Sequence, residues 1–231
     1  MRVRIKLAYA LCRYLLVGPA LVLWAQPWIV GRDHLPASGP VILAANHLSV
    51  LDSFYLALAA RRPVTFLAKS DYFERRGPVG RLQRWFFLTL GQIPVDRRGG
   101  PGASSALRQA VNILDEGGIW GIHPEGTRSP DGRMYRGRTG AVRVALRTGA
   151  PLVPVAISGT GRFAAPSGRR RRVTIEFLPA LDLRCGDDAA EAFIRQATDE
   201  LMATICQRSG QIYIDEYARR WTRDERSPDA A

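Results

Sequence analysis

From residue 40 onward the chain switches back and forth between two periods, and this constrains its fold more than any other feature. Short apolar, β-branched runs read as strands at 41–44, 64–67, 93–95, 119–122, 152–157 and 173–177. Between them lie segments with helical spacing at 49–60, 79–90, 104–116 and 139–148, the last two stopping at Gly117-Gly118 and Gly149. A further helix over 188–208 sets Phe193, Ala197, Leu201 and Ile205 on one stripe. Strands separated by helices pair in parallel through crossovers, so the pattern predicts an α/β fold with a mostly parallel central sheet flanked by helices. The prolines in Pro151-Leu152-Val153-Pro154 suggest an edge or irregular place for that strand. One domain spans 31–210, a membrane-associating segment 1–30 precedes it, and a helical or polar tail 211–231 follows.

The first 30 residues are the most apolar part of the chain. Arg2, Lys6, Tyr9 and Arg13 fall on one helical face among Val3, Ile5, Leu7, Leu11 and Leu15, and Gly18-Pro19 then divides this piece from a second apolar one carrying Trp24 and Trp28. A signal peptide lacks its cleavage site here. A spanning helix needs about 20 apolar residues, a run that Gly18-Pro19, Gln26 and Pro27 interrupt. Two readings remain: a two-piece interfacial anchor with arginines at lipid phosphates and tryptophans at headgroup level, which the sequence favours, and a core-packing helix pair.

Charge narrows the partner. A net +12 over 231 residues asks for phosphate, carried by nucleic acid, by an anionic membrane surface or by a small substrate. At 46% hydrophobic and 23% charged residues, a disordered tail and a multi-span membrane protein are excluded. Cys12, Cys185 and Cys206 form no C-x-x-C pair, as in a reduced cytosolic chain, and His34, His47 and His123 have no metal-ligand spacing, so no metal site is expected. The Arg169–Arg172 run prompts a nucleic-acid-binding alternative, but no recognition motif or aromatic stacking pattern accompanies it.

Four segments at strand ends carry candidate chemistry. In Asn46-His47-Leu48-Ser49-Val50-Leu51-Asp52, His47 precedes a helix whose first turns hold Asp52, so the carboxylate can fix one ring nitrogen and leave the other free as a base. No nucleophilic serine accompanies the pair, and a substrate hydroxyl can take its place. In isolation, the default for such a histidine is a satisfied core residue. Gly121-Ile122-His123-Pro124-Glu125-Gly126-Thr127-Arg128-Ser129 offers close backbone approach at Gly126, a hydroxyl at Thr127 and a bidentate fork for phosphate at Arg128, although Pro-Glu-Gly-Thr is also good turn chemistry. Gly91-Gln92-Ile93-Pro94-Val95-Asp96-Arg97 ends in a charged pair, and the proline-containing apolar strand over 151–157 is the fourth segment.

Together these blocks resemble, in order and spacing, the glycerolipid acyltransferases typified by 1-acylglycerol-3-phosphate acyltransferase, over about residues 30 to 180. The resemblance implies that His47 is the general base and Asp52 its orienting partner. It implies that Glu125, Gly126, Thr127, Arg128 and Arg97 form the acceptor-binding blocks, with Arg128 on the phosphate. Lys69 stands where the family often carries a phosphate-binding lysine, and Arg138-Thr139-Gly140 loosely matches a basic-x-Gly segment of the family. His123 is a departure, since the family usually has an aromatic or apolar residue there.

The implied reaction is acyl transfer from acyl-CoA or acyl-carrier protein, with no cofactor, to the free hydroxyl of lysophosphatidic acid, giving phosphatidic acid. Glycerol-3-phosphate and a lyso-lipid such as lyso-ornithine lipid are the alternative acceptors. Backbone N–H groups near Gly126 or at the start of the His47 helix are the candidate oxyanion stabilisers. Thioester donors are cytosolic, so the expected place is monotopic, on the cytoplasmic face of an anionic membrane.

Overall fold

Each strand expected from the sequence forms. A computed structural model describes residues 15, 17–69, 73–74, 77–89, 92–95, 100–161, 172–183 and 191–219. Its strands are β1 (Gln26–Val30), β2 (Val41–Ala45), β3 (Val64–Lys69), β4 (Ile93–Val95), β5 (Ile119–Ile122), β6 (Met134–Tyr135), β7 (Leu152–Ser158), β8 (Arg172–Phe177) and β9 (Tyr213–Ile214). Its helices are α1 (Gly18–Trp24), α2 (Leu51–Ala59), α3 (Gly77–Thr89), α4 (Gly100–Asp115), α5 (Gly140–Thr148) and α6 (Glu191–Ser209). Seven strands make one sheet in the order β1-β8-β7-β2-β5-β3-β4, parallel throughout except where β8 meets β7. The short strands β6 and β9 pair separately.

Both faces of the sheet are covered, which is why its central strands read as unbroken apolar runs. Ile42 and Ala44 of β2 pack with α4, α5 and α6, whereas Val41, Leu43 and Ala45 pack on the opposite face with α1 and α2. The stripe expected on α6 is there in Ala197, Leu201 and Ile205. Ile194 and Met202 are also buried, and Phe193 is only partly covered at its margin.

Two local expectations change. β7 is an interior strand between β8 and β2, not an edge. In a strand the N–H and C=O of one residue point the same way, and the Pro154 carbonyl accepts from Leu178 N, just past the end of β8. The N–H that Pro154 lacks therefore faces the side where pairing is running out, and the ladder to β2 loses nothing. The second change is at Gln26–Val30, expected inside the membrane-associating segment. It is a sheet strand instead, in register with β8 from Gln26↔Arg172 to Val30↔Glu176. Its exposure alternates residue by residue, the period of a half-covered edge strand, and an edge tolerates Pro27. Trp28 lies on the outer face with the Arg172 guanidinium over its ring, 5.6 Å from the centroid.

The basic face drawn through Arg2, Lys6, Tyr9 and Arg13 lies outside the described residues, as do residues 169–171 and 220–231. Among the described residues, no helix is long and apolar enough to cross a membrane. Within the stretch expected as a helical or polar tail, Tyr213–Ile214 forms β9.

Candidate active site

In an open parallel sheet, loops leaving the C-terminal ends of the strands converge on one edge. Here that edge collects the residues after β2 and β5, and Lys69 at the end of β3. β2 does not stop abruptly. The Asn46 side chain continues its ladder, with Oδ1 accepting from Ile157 N at 2.8 Å and Nδ2 donating to Ile157 O at 2.8 Å. The next residue, His47, leaves the sheet at that point.

Ser49 Oγ accepts from Leu51 N at 3.2 Å and starts α2, which holds Asp52 in its first turn. The Asp52 carboxylate folds back over that turn. Its Oδ2 accepts from Leu48 N at 2.6 Å, from Ser49 N at 2.7 Å and from the His47 ring at Nδ1, 3.0 Å away. Asp52 is fully buried, and the His47 side chain is 17% exposed. A carboxylate already holding two backbone N–H groups accepts from the ring, so the Nδ1 of neutral His47 carries the proton and its Nε2 has the free lone pair of a base.

The β5–β6 loop docks on the same residue. His47 N donates to Glu125 Oε1 at 2.9 Å, and His47 O accepts from Ser129 N at 2.7 Å, so both backbone groups of the histidine are held. Glu125 Oε2 accepts from Tyr135 N at 3.1 Å. Glu125 is 1% exposed, and burial pushes its carboxyl up to about 7 against the pull of these two N–H donors. Glu125, expected in the acceptor-binding block, accepts from the backbone through both oxygens, one of them from the residue that carries the imidazole. Gly126 takes a left-handed φ of 76° that favours glycine, and the Arg138 side chain lies against it. Thr127 is partly exposed and Arg128 is exposed.

His123 stacks on His47, with ring centroids 3.9 Å apart and planes 6° off parallel. Phe66 of β3 stacks behind His123 at 5.9 Å, occupying space that a side chain at Gly121 would fill. Of Ser129, Tyr135, Phe66 and Ser53, sequence reasoning named only Ser129, as the end of its segment, and gave none of them a role. The first two act through backbone N–H groups, which any residue type except proline supplies. The backbone N–H groups considered for an oxyanion are largely committed: Gly126 N donates to His123 O at 3.0 Å, and Leu48 N and Ser49 N hold Asp52. Lys69 ends β3 level with Val95 of β4, while Arg97 lies outside the described residues.

A mostly parallel sheet with an aspartate-bonded histidine at its carboxyl edge defines a class, the α/β proteins whose candidate site stands on the loops beyond the strand ends. Sequence comparison then narrows the class. Residues 27–158 match the acyltransferase family model, and the chain belongs to that family. It is 33% identical over 141 residues to a chloroplastic 1-acyl-sn-glycerol-3-phosphate acyltransferase of Arabidopsis thaliana, covering 61% of this chain and 38% of that protein. It is 31% identical over 158 residues to the 1-acyl-sn-glycerol-3-phosphate acyltransferase of Bacillus subtilis, covering 67% of this chain and 74% of that one. The chain spans about two fifths of the length of the plant and algal relatives it matches. The crystal structure of the 1-acyl-sn-glycerophosphate acyltransferase PlsC from Thermotoga maritima shares the fold, with a TM-score of 0.65 and 24% identity over 95% of this chain and 81% of that one.

Proposed function

We propose that the protein moves a fatty acyl group from a thioester, acyl-CoA or acyl-carrier protein, to the free hydroxyl of lysophosphatidic acid, giving phosphatidic acid. The observation that carries this reading is the His47–Asp52 pair, 3.0 Å apart, in which Asp52 holds Nδ1 and leaves Nε2 for a substrate proton. The hydroxyl oxygen attacks the thioester carbonyl while His47 Nε2 takes its proton. The tetrahedral adduct then expels the thiolate, which recovers the proton from the imidazolium. The two substrates balance the reaction without a cofactor, and no acyl-enzyme forms. Arg128, with Gly126 and Thr127, grips the acceptor phosphate, assisted by Lys69 and Arg97, and Glu125 steadies the loop that presents them. The acceptor is a lipid, so we place the enzyme as a monotopic protein on the cytoplasmic face of an anionic membrane, held by its N-terminal segment.

The test is purified protein with acyl-CoA and acyl-carrier protein against lysophosphatidic acid, glycerol-3-phosphate and lyso-ornithine lipid. Phosphatidic acid formation from lysophosphatidic acid with either donor is expected. Preference for another acceptor would reassign the substrate, and no transfer to any would end the reading. His47→Ala is expected to cost about 10²–10⁴-fold in kcat while leaving the protein folded, as steady-state kinetics and circular dichroism report.

A further inference from the structure

His123 stands outside the roles assigned so far, yet its two ring nitrogens reach both halves of the dyad. Nδ1 lies 3.0 Å from Ala45 O and 3.1 Å from Asn46 O, the two carbonyls immediately before His47. Nε2 lies 3.0 Å from Ser53 Oγ, on the residue immediately after Asp52. Two carbonyls accept at Nδ1, so that nitrogen carries the proton, and Nε2 accepts from the Ser53 hydroxyl. One ring thus ties the backbone that carries His47 to the helix that carries Asp52, with Phe66 behind it and the His47 ring in front.

We infer that His123 is a positioning residue for acyl transfer: a polar cross-tie that sets the separation and tilt of the His47 ring relative to Asp52 through Ala45, Asn46 and Ser53, while its own ring backs the face of the base. The inference rests on His47 being the base.

The groups around His123 agree with that role. His47 faces it directly, Asp52 acts on it through space, and Ser53 and the carbonyls of Ala45 and Asn46 bond it. Desolvation, reinforced by the neighbouring His47, pushes its pKa down to about 3, so the ring stays neutral at neutral pH. A charged ring there would lose its acceptor at Nε2 and would set a second cation against the one His47 becomes during the reaction. His123 lends shape, not a proton.

Three variants separate this from simple packing. His123→Phe keeps a ring in the stack and loses both hydrogen bonds, His123→Asn keeps a donor for the carbonyls, and Ser53→Ala removes the hydroxyl. Displacing a catalytic group slightly costs about ten- to a hundredfold in rate. A kcat loss of about that size is expected for His123→Phe, with KM for lysophosphatidic acid within about twofold and the loss unchanged after correction for folded fraction. His123→Asn should recover part of that kcat. Ser53→Ala should lower kcat severalfold in the wild-type background and add nothing in His123→Phe, because the two act through one bond.

Wild-type kcat in His123→Phe, a loss that tracks unfolding, or additive effects of Ser53→Ala and His123→Phe would each overturn the inference. Should His123→Phe not fold, the kcat and KM of Ser53→Ala decide the matter, and wild-type values there count against it. His47→Ala, run in parallel, reports separately on the base itself. Full activity in that variant removes the reading on which the inference rests, whereas an inactive His47→Ala beside unaffected His123 variants removes the inference alone.

Discussion

The two loops of the site hold their carboxylates in opposite ways. Asp52 draws its partners from within its own turn: Oδ2 takes the His47 ring, Leu48 N and Ser49 N, all within five residues, while the buried Oδ1 has no hydrogen-bond partner among the described residues. Glu125 is satisfied from a distance, one oxygen by His47 N, 78 residues away in sequence, and the other by Tyr135 N, ten residues on. The difference teaches a division of labour. The first loop closes its carboxylate on its own turn, whereas the second, which also holds bonds of its own from Gly126 N to His123 O and from Gly132 N to Ser129 Oγ, ties its carboxylate across to His47 N. The His47–Asp52 bond is local, and the contacts that hold the backbone of His47 are not.

The sharpest way to break the comparison is to damage the local arrangement alone. Asp52→Asn should leave the fold intact and lower kcat on the order of 10³–10⁴-fold, because an amide no longer dictates which His47 nitrogen is protonated. Activity within threefold of wild type would mean that the β2–α2 turn is not the centre of the chemistry.

Damage to the long-range carboxylate should register first in stability. Glu125→Ala orphans two half-buried N–H groups, at His47 and Tyr135, at about 1–3 kcal/mol each, read as a drop in urea midpoint with unchanged slope. An unmoved midpoint would make the β5–β6 loop self-supporting.

A third probe uses pH. Burial raises the Glu125 carboxyl from its ordinary 4.5 to about 7, so between these values the native state binds more protons than the unfolded chain. Its contribution is therefore fully present below the unfolded value and is lost as pH rises to about 7, by about 3 kcal/mol in all. His123 pulls the other way. With its pKa lowered to about 3, it favours the folded state increasingly as pH climbs from there to its ordinary 6.5, so the wild-type profile partly cancels between 4.5 and 6.5. Glu125→Gln removes one side of that balance. Its stability should gain on wild type steadily from pH 4.5 to 7 in denaturant titrations, and a parallel pair of profiles would assign the effect elsewhere.

The mildest probe is Arg128→Ala, on the exposed side of the second loop. It should raise KM for the phosphorylated acceptor about tenfold with kcat little changed. A KM that stays put would remove Arg128 from the acceptor site.

The same contrast explains what could be read in advance. The interior strands were legible because both of their faces are buried, and the His47–Asp52 pair was legible because six consecutive residues contain all of it. β1 was read through its hydrophobic content instead of its period-two exposure, since Gln26 and Pro27 looked like interruptions and not like an edge. Pro154 misled for a related reason, because its missing N–H is harmless only where β8 happens to end. The partners of Glu125 and His123 were not legible at all. His47 N lies 78 residues from Glu125 and the partners of His123 at least 70 residues from it, Tyr135 N lies ten residues from Glu125, and backbone N–H and C=O groups carry no letter in a sequence.

The single antiparallel junction between β7 and β8 has a consequence for how the chain approaches its own site. β8 begins beside the end of β7, with Thr174 level with Ser158, and β1 runs alongside β8 from Gln26 level with Arg172. Gln26 thus joins the sheet at the rim from which His47 emerges, not at the opposite one. α1 spans seven residues, about 10 Å, and is latched to α2 by the Tyr55 hydroxyl donating to Leu21 O at 2.9 Å, one turn beyond Asp52. The described chain thus enters its sheet within one short helix of the rim that carries His47. With five parallel strands running toward that rim and two returning from it, the first strand and His47 share one edge of the sheet.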